Sequence, residues 1–400
     1  MTSHMTHAPT YDLVPSDEIF SRISRLQREL VDAGLDGAII PDGINMFYYT
    51  GTLQNGVLFV PADGDPLFFI RRSFERAKKE TPLKAVLRFT ELLPTVDSYG
   101  YQVGTLGVDE TTVAVSIFKK LSAAFPKTVF EDISLRLSMI RSVKSEYEIG
   151  LIREAGKRHK VIYDHIPGII REGMTEWELG SAIHAHMLKP GIIREGMTEW
   201  ELGSAIHAHM LKLGYTGLGR LAAFNTEFFA GVISFGESGN YPSASVGPDG
   251  LVGLSPAFPF LGGAKRLIKS EIAFIDTGFA YQGYFTDKTR IFVLNSLSQT
   301  AADAHKICVD IQEAVRRRLK PGAIPSEIFS EVYQTEVVSR NFEEHFMGFG
   351  SNQVLFLGHG IGLVIDEFPV IAGRIDSPLQ ENMIIAVEPK KGIAGIGLVG

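Results

Sequence analysis

Apolar residues recur at helical spacing between residues 18 and 34. Ile19, Ile23, Leu26, Leu30 and Ala33 line one face and predict an amphipathic helix. The pattern then shortens into strand-like runs. Gly37-Ala38-Ile39-Ile40, Gly56-Val57-Leu58-Phe59-Val60 and Pro66-Leu67-Phe68-Phe69-Ile70 read as three strands, the last two joined by a turn at Ala62-Asp63-Gly64-Asp65. Leu106-Gly107-Val108-Asp109 and Thr128-Val129-Phe130-Glu131 continue the alternation. Residues 18–140 therefore predict a small α/β domain with mixed strands and covering helices.

A boundary is expected near 138–146. Ser145-Glu146-Tyr147-Glu148 places Ser at an N-cap and Glu three residues on, the pattern of a capping box. It predicts a long helix to about Ile166, with Ile149, Ile152, Ala155 and His159 sharing a face. A second domain over 141–400 starts with it.

Residues 167–189 and 190–212 are identical. Each copy opens on Pro-Gly and carries a further capping box, Thr175 with Glu178 and Thr198 with Glu201. Solenoids need about three or more repeats, and their copies diverge. Two perfect copies point to a tandem duplication or a cloning error that is not ancestral to the fold. A core with one slot for this helix predicts one packed copy and one displaced. The histidine pairs in it, His184 with His186 and His207 with His209, are two residues apart. A helix points such residues about 200° apart, so one ion does not bind both.

The segment Ile272–Val293 alternates apolar and polar residues around Tyr281-Gln282-Gly283 and predicts a β-hairpin. Taking the turn beside Tyr281 sets Asp276 and Asp287 nearly opposite each other, with Cβ atoms roughly 5 Å apart. Two carboxylates that close repel, and a divalent cation between them removes the penalty. Further on, Gly358-His359-Gly360-Ile361-Gly362 flanks a histidine with small residues that permit close approach. Met383-Ile384-Ile385-Ala386-Val387-Glu388-Pro389 ends a buried strand on a carboxylate. Asp276, Asp287, His359 and Glu388 together form a hard-oxygen and imidazole set. It suits one or a pair of divalent transition metals: Mn, Co, Zn or Fe.

Composition limits the alternatives. The chain has 400 residues, 45% of them hydrophobic, and a formal net charge of −7. The charge and the lack of a basic stretch argue against a nucleic-acid partner. Cys308 is the single cysteine, so neither an intramolecular disulfide nor a Cys-based zinc site forms, and a reducing cytoplasm fits. Residues 1–17 are polar and read as a disordered tail, not a signal peptide. No apolar run is long enough to span a membrane.

The hairpin Asp-x10-Asp-x-Thr-Arg, the Gly-His-Gly-Ile-Gly loop and the Val-Glu-Pro strand resemble the pita-bread metallopeptidases. They resemble most the branch that holds aminopeptidase P, prolidase and creatinase. Residues 140–149 resemble that branch's interdomain linker, and the resemblance covers about residues 18–400. It implies an α/β (α+β) chain with a creatinase-like N-terminal domain, a pita-bread catalytic domain and a homodimer. It implies that Asp276 binds one metal ion, that Asp287 bridges two, and that His359 and Glu388 bind the other. A hydroxide held between the ions would attack the carbonyl of an amide, most readily an Xaa-Pro peptide bond. Thr289 and Arg290 match positions that steady the ligands.

The resemblance has three gaps. The family's fifth ligand, a second Glu, is expected a few residues after Gly395–Gly400, so a C-terminal truncation is expected. Asp366, in Val364-Ile365-Asp366-Glu367-Phe368-Pro369, stands where the peptidases carry a histidine, which makes Asp366 and Glu367 candidate catalytic groups. No histidine occurs between His209 and His305, and Gly236–Ser243 takes the place of the family's other substrate-facing histidine. These gaps leave two alternatives beside the peptidase: a hydrolase or lyase of a small non-peptide substrate, and a non-catalytic binding protein.

Overall fold

The computed structural model describes residues 12–89, 92–176, 178–179, 182, 219–220, 227–228, 231–243, 247–253, 255–257, 259 and 262–400. The chain divides into two compact units, Met1–Arg141 and Ser142–Gly400.

The first unit runs α1 (Ser16–Asp32), β1 (Gly37–Ile40), α2 (Gly43–Thr50), β2 (Gly56–Pro61), β3 (Leu67–Ile70), α3 (Phe74–Glu80), β4 (Ala85–Arg88), α4 (Leu92–Ser98), β5 (Thr105–Val108), α5 (Val115–Ala124), β6 (Val129–Asp132) and α6 (Ser134–Ser142). Its six strands lie in the order β4-β3-β2-β1-β5-β6. The pairs β1/β2 and β2/β3 are antiparallel and the others parallel. Helix α1 buries Ile19, Ile23, Leu26 and Leu30, the face its spacing predicts. Helix α2 covers Gly43–Thr50. Asp42 caps it by accepting the Asn45 N–H at 2.8 Å, and Gly51 at φ 74° ends it. Ile39, Phe59, Phe69, Leu106 and Phe125 fill the core between sheet and helices.

The second unit opens with α7 (Glu146–Ile169). Its capping box forms: the Ser145 N–H reaches Glu148 Oε2 at 3.0 Å, and the Glu148 N–H reaches Ser145 Oγ at 3.2 Å. The start of the first duplicate packs. The Thr175 N–H donates to Glu178 Oε2 at 2.7 Å, the Glu178 N–H to Thr175 Oγ1 at 3.0 Å, and Leu179 is buried. Trp177, the four histidines of the duplicate and the whole second copy lie outside the described residues, as does the expected displacement of one copy.

After a two-residue pair, β7 (Gly219–Arg220) with β8 (Glu227–Phe228), come β9 (Gly231–Phe235), β10 (Ile272–Tyr281) and β11 (Tyr284–Val293). They form a sheet in the order β11-β10-β9. Helices α8 (Gln299–Arg318) and α9 (Pro325–Val332) follow. Then β12 (Phe356–Gly360), β13 (Glu367–Ala372) and β14 (Ile385–Val387) make a sheet in the order β13-β12-β14, and β15 (Lys391–Ile393) pairs with β16 (Gly397–Val399). Strand β10 is buried on both faces. Ile272 and Phe274 pack with Ala301, Cys308 and Ile311 of α8. Ala273, Ile275 and Phe279 pack with Ala155 and Tyr163 of α7. Residues two apart share a face, so Asp276 belongs with Phe274 and Thr277 with Ile275.

Candidate metal centre

The β10–β11 hairpin turns on two residues, Gln282 at φ 48° and Gly283 at φ 88°. Positive φ at both central positions is the primed turn that suits the twist of paired strands. The turn therefore lies one residue later than the sequence reading placed it, and the register changes by two. Asp276 pairs with Thr289, and Asp287 pairs with Gly278. The two acids are diagonal neighbours rather than opposite. An even shift preserves the face, so both still point the same way. Thr289 shares that face, directly across from Asp276. Arg290 pairs with Ile275, which puts it on the other face. It is exposed, and its Nη1 donates to the Thr289 carbonyl at 2.6 Å.

His359 sits on β12, in a strand rather than a loop, and pairs with Ala386 of β14. Flanking glycines are required here. A Cβ on Gly358 would lie 2.3 Å from the Ala386 carbonyl oxygen, and one on Gly360 would lie 2.3 Å from that of Phe368. Glu388 follows β14 directly, its N–H held by the Leu357 carbonyl at 3.1 Å. The two sheets meet where the Phe285 N–H donates to the Gly362 carbonyl at 2.8 Å.

Three of the four expected ligands converge. One ligand atom each from Asp287, His359 and Glu388 lies within 4.8 Å of the others. His359 Nε2 is 3.2 Å from Glu388 Oε1 and 3.6 Å from Asp287 Oδ2. Its Nδ1 lies 2.9 Å from the Gly360 carbonyl, a bond that only an N–H can make. That bond fixes the tautomer, so neutral His359 turns the Nε2 lone pair toward the carboxylates, the orientation in which imidazole binds a metal. The fourth, Asp276, reaches Lys390 instead: Nζ lies 2.5 Å from Asp276 Oδ2.

Burial pushes the Asp287 carboxyl up to about 7, and neighbouring Asp276 adds to the rise. Burial would raise Glu388 too, but the Lys390 ammonium and His359 hold it at about 2. Burial also opposes charge on His359, yet the carboxylates of Asp287 and Glu388, which accept from the protonated ring, keep its pKa well above the ordinary value. A buried carboxylate held back from ionising, beside an imidazole drawn into charge, is a site that gains from a cation. Donor type and geometry fit a divalent ion at Asp287, His359 and Glu388.

Glu367 is placed elsewhere. It is buried on β13 and paired with Lys144 Nζ at 3.1 Å. Asp366 is half-buried just before β13. Two residues that the sequence reading did not single out stand in the site: Lys390 and Asp249, the latter 2.7 Å from Lys390 Nζ. Lys390 lies two residues after Glu388, so an extended chain would bring both to one side, which is a legible signal. Gly247-Pro248-Asp249-Gly250 reads only as a turn. A cavity of about 480 Å³ borders Asp287, Thr289, Glu388 and Lys390. It lies between the edge strands β11 and β14.

The fold and site are those of a two-unit α/β protein with a candidate carboxylate–imidazole metal centre. Residues 188–400 match the model of metallopeptidase family M24, and residues 22–143 match that of the creatinase/prolidase N-terminal domain. The chain belongs to metallopeptidase family M24, and it is a peptidase-like hydrolytic enzyme. It is 22% identical over 385 residues to an uncharacterized peptidase of Staphylococcus aureus (strain USA300), covering 94% of each chain. Among solved structures it resembles an X-Pro aminopeptidase from Thermotoga maritima MSB8, with TM-score 0.70 and 23% identity over 94% of this chain and 92% of that one. It also resembles the prolidase from Pyrococcus horikoshii OT3, with TM-score 0.71 and 20% identity over 95% and 93%. No helix among the described residues is long and apolar enough to cross a membrane.

Proposed function

We propose that the protein hydrolyses an Xaa-Pro-type peptide bond at a divalent-metal centre held by Asp287, His359 and Glu388. The convergence of these three side chains, with the tautomer of His359 fixed by Gly360, carries the reading. The names of the similar structures, X-Pro aminopeptidase and prolidase, support the substrate class. An ion bound there supplies a Lewis acid for the amide carbonyl and lowers the pKa of coordinated water. The chain's own part is to aim Nε2, to set Asp287 and Glu388 on the border of the cavity, and to place Asp276 across from Thr289. Of the two ions that the family resemblance implies, these three residues would hold one. Mn, Co, Zn and Fe all suit the donor set. A homodimer in a reducing cytoplasm is the setting that accompanies this reading.

The presence of Asp366 where the peptidases carry a histidine favours one alternative, a small non-peptide substrate on the same fold. A panel of Xaa-Pro dipeptides and small amides, assayed with each metal supplied, separates the two. Peptide turnover that a chelator abolishes supports the peptidase. Turnover confined to non-peptide amides supports the alternative.

A further inference from the structure

Beside the three converging ligands lies a second cluster, in which three carboxylates surround one ammonium. Lys390 Nζ is 2.5 Å from Asp276 Oδ2, 2.7 Å from Asp249 Oδ1 and 2.7 Å from Glu388 Oε2. The Lys390 residue is 0% exposed. An ammonium has three hydrogens to donate, and each has a carboxylate to meet. Glu388 is shared between the clusters. Its Oε1 faces His359 and its Oε2 faces Lys390. A carboxylate bridging two cations divides its oxygens in this way.

We propose that Lys390 is a tethered cation in the second cation position of this site, and that the site takes a single divalent ion at Asp287, His359 and Glu388. The inference rests on the metal reading above. Size supports it. Divalent ions hold oxygen ligands at about 2.0–2.6 Å, and the ammonium already draws three oxygens to comparable distances, leaving no room for an ion among them. Charge supports it as well. One buried cation offsets part of the repulsion among Asp249, Asp276 and Glu388, which a metal would otherwise have to do. The chain geometry is equally specific. Pro389 separates Lys390 from Glu388, and the Lys390 carbonyl is fixed by the Met347 N–H at 2.8 Å. With its three donors engaged, Lys390 is a positioning residue. It sets Asp276 and Oε2 of Glu388 in place, and has no lone pair with which to attack and no vacant orbital with which to polarise a carbonyl.

Ion counting tests this without reference to turnover. Native mass spectrometry and isothermal titration with MnCl2 are applied to the 400-residue protein and to Lys390→Ala, refolded with Mn2+ present and checked by circular dichroism. The expected counts are one Mn2+ in the wild type and two in Lys390→Ala. Two ions in the wild type overturn the proposal, and so does a single ion in the folded variant. If the variant does not fold, the wild-type count decides alone: one ion supports the proposal and two overturn it. A wild type that takes up no ion overturns the metal reading itself.

Discussion

Asp276 stands directly across the hairpin from Thr289, and Asp287 lies one pleat nearer the turn. That offset gives the two acids different partners. Asp287 Oδ2 comes within 3.6 Å of His359 Nε2, while Asp276 Oδ2 meets Lys390 at 2.5 Å. Two carboxylates of one strand pair thus face two different groups, an imidazole and an ammonium.

His359 is expected to be the ligand on which ion binding depends most. It is the nitrogen donor of the set, and Gly360 fixes its orientation. Loss of an outer partner at a metal site costs about 10–100-fold in affinity, and loss of a ligand should cost no less. His359→Ala should therefore weaken Mn2+ binding by at least about 10-fold, and chelation of the wild type should abolish turnover reversibly. Calorimetric titration checks the first and metal add-back the second. Affinity within threefold of wild type in His359→Ala would remove His359 from the site.

Lys144 and Glu367 should act as one unit. Both side chains are almost wholly buried and meet at 3.1 Å. Removing one partner of such a pair costs about 3–5 kcal/mol, because the other charge is left buried. Lys144→Met should show that loss in urea unfolding, and the double variant Lys144→Met/Glu367→Leu should recover most of it. If the double variant is no more stable than Lys144→Met, the pair is not coupled. Activity of the folded double variant also bears on Glu367, which the sequence marked as a candidate catalytic group. Retained turnover would assign it to the fold.

The cap of α7 reaches the hairpin. Glu148 Oε2 accepts the Ser145 N–H, and Oε1 accepts the Tyr284 hydroxyl at 2.9 Å. Ser145→Ala removes a cap hydrogen bond, worth about 1 kcal/mol. Glu148→Ala removes the reciprocal bond and a buried partner of Tyr284, for a further ~1–3 kcal/mol. Denaturant midpoints measured side by side should rank Glu148→Ala as the more damaging. Equal losses would mean that the bond to Tyr284 contributes nothing.

Local chemistry was readable where it was repeated by neighbours in the chain. The α1 face, the Ser145–Glu148 and Thr175–Glu178 caps and the four ligand candidates all carry short-range signals. The hairpin register was misplaced by one turn position, because Gln282 gives no advance sign of its positive φ. Gly283 alone marked the region. Asp249 was not legible, since its partner lies 141 residues away. The ion pair of Glu367 is hidden for the same reason: Lys144 lies 223 residues earlier. Sequence motifs report which groups can bind a cation. Which cation each one meets depends on contacts that only the fold brings together.

His159 predicts how stability should vary with pH. It is wholly buried on α7, with Nε2 2.9 Å from Thr277 Oγ1 and Nδ1 3.0 Å from Thr286 Oγ1. It thereby braces the strand positions beside Asp276 and Asp287 from the opposite face. Burial, with the Lys288 and Arg290 charges, lowers its pKa from 6.5 to about 3. Above pH 6.5 the imidazole is neutral in both folded and unfolded chains and contributes no slope. Between 6.5 and 3 the unfolded chain takes up a proton that the folded chain does not, so stability falls as pH falls. The slope from this group approaches about 1.4 kcal/mol per pH unit inside that window. His159→Gln keeps polar contacts but does not titrate, so its unfolding free energy should fall less steeply between pH 6.5 and 4 than that of the wild type. Urea unfolding at pH 7, 6, 5 and 4 measures both slopes, and identical slopes would rule out His159 as the source.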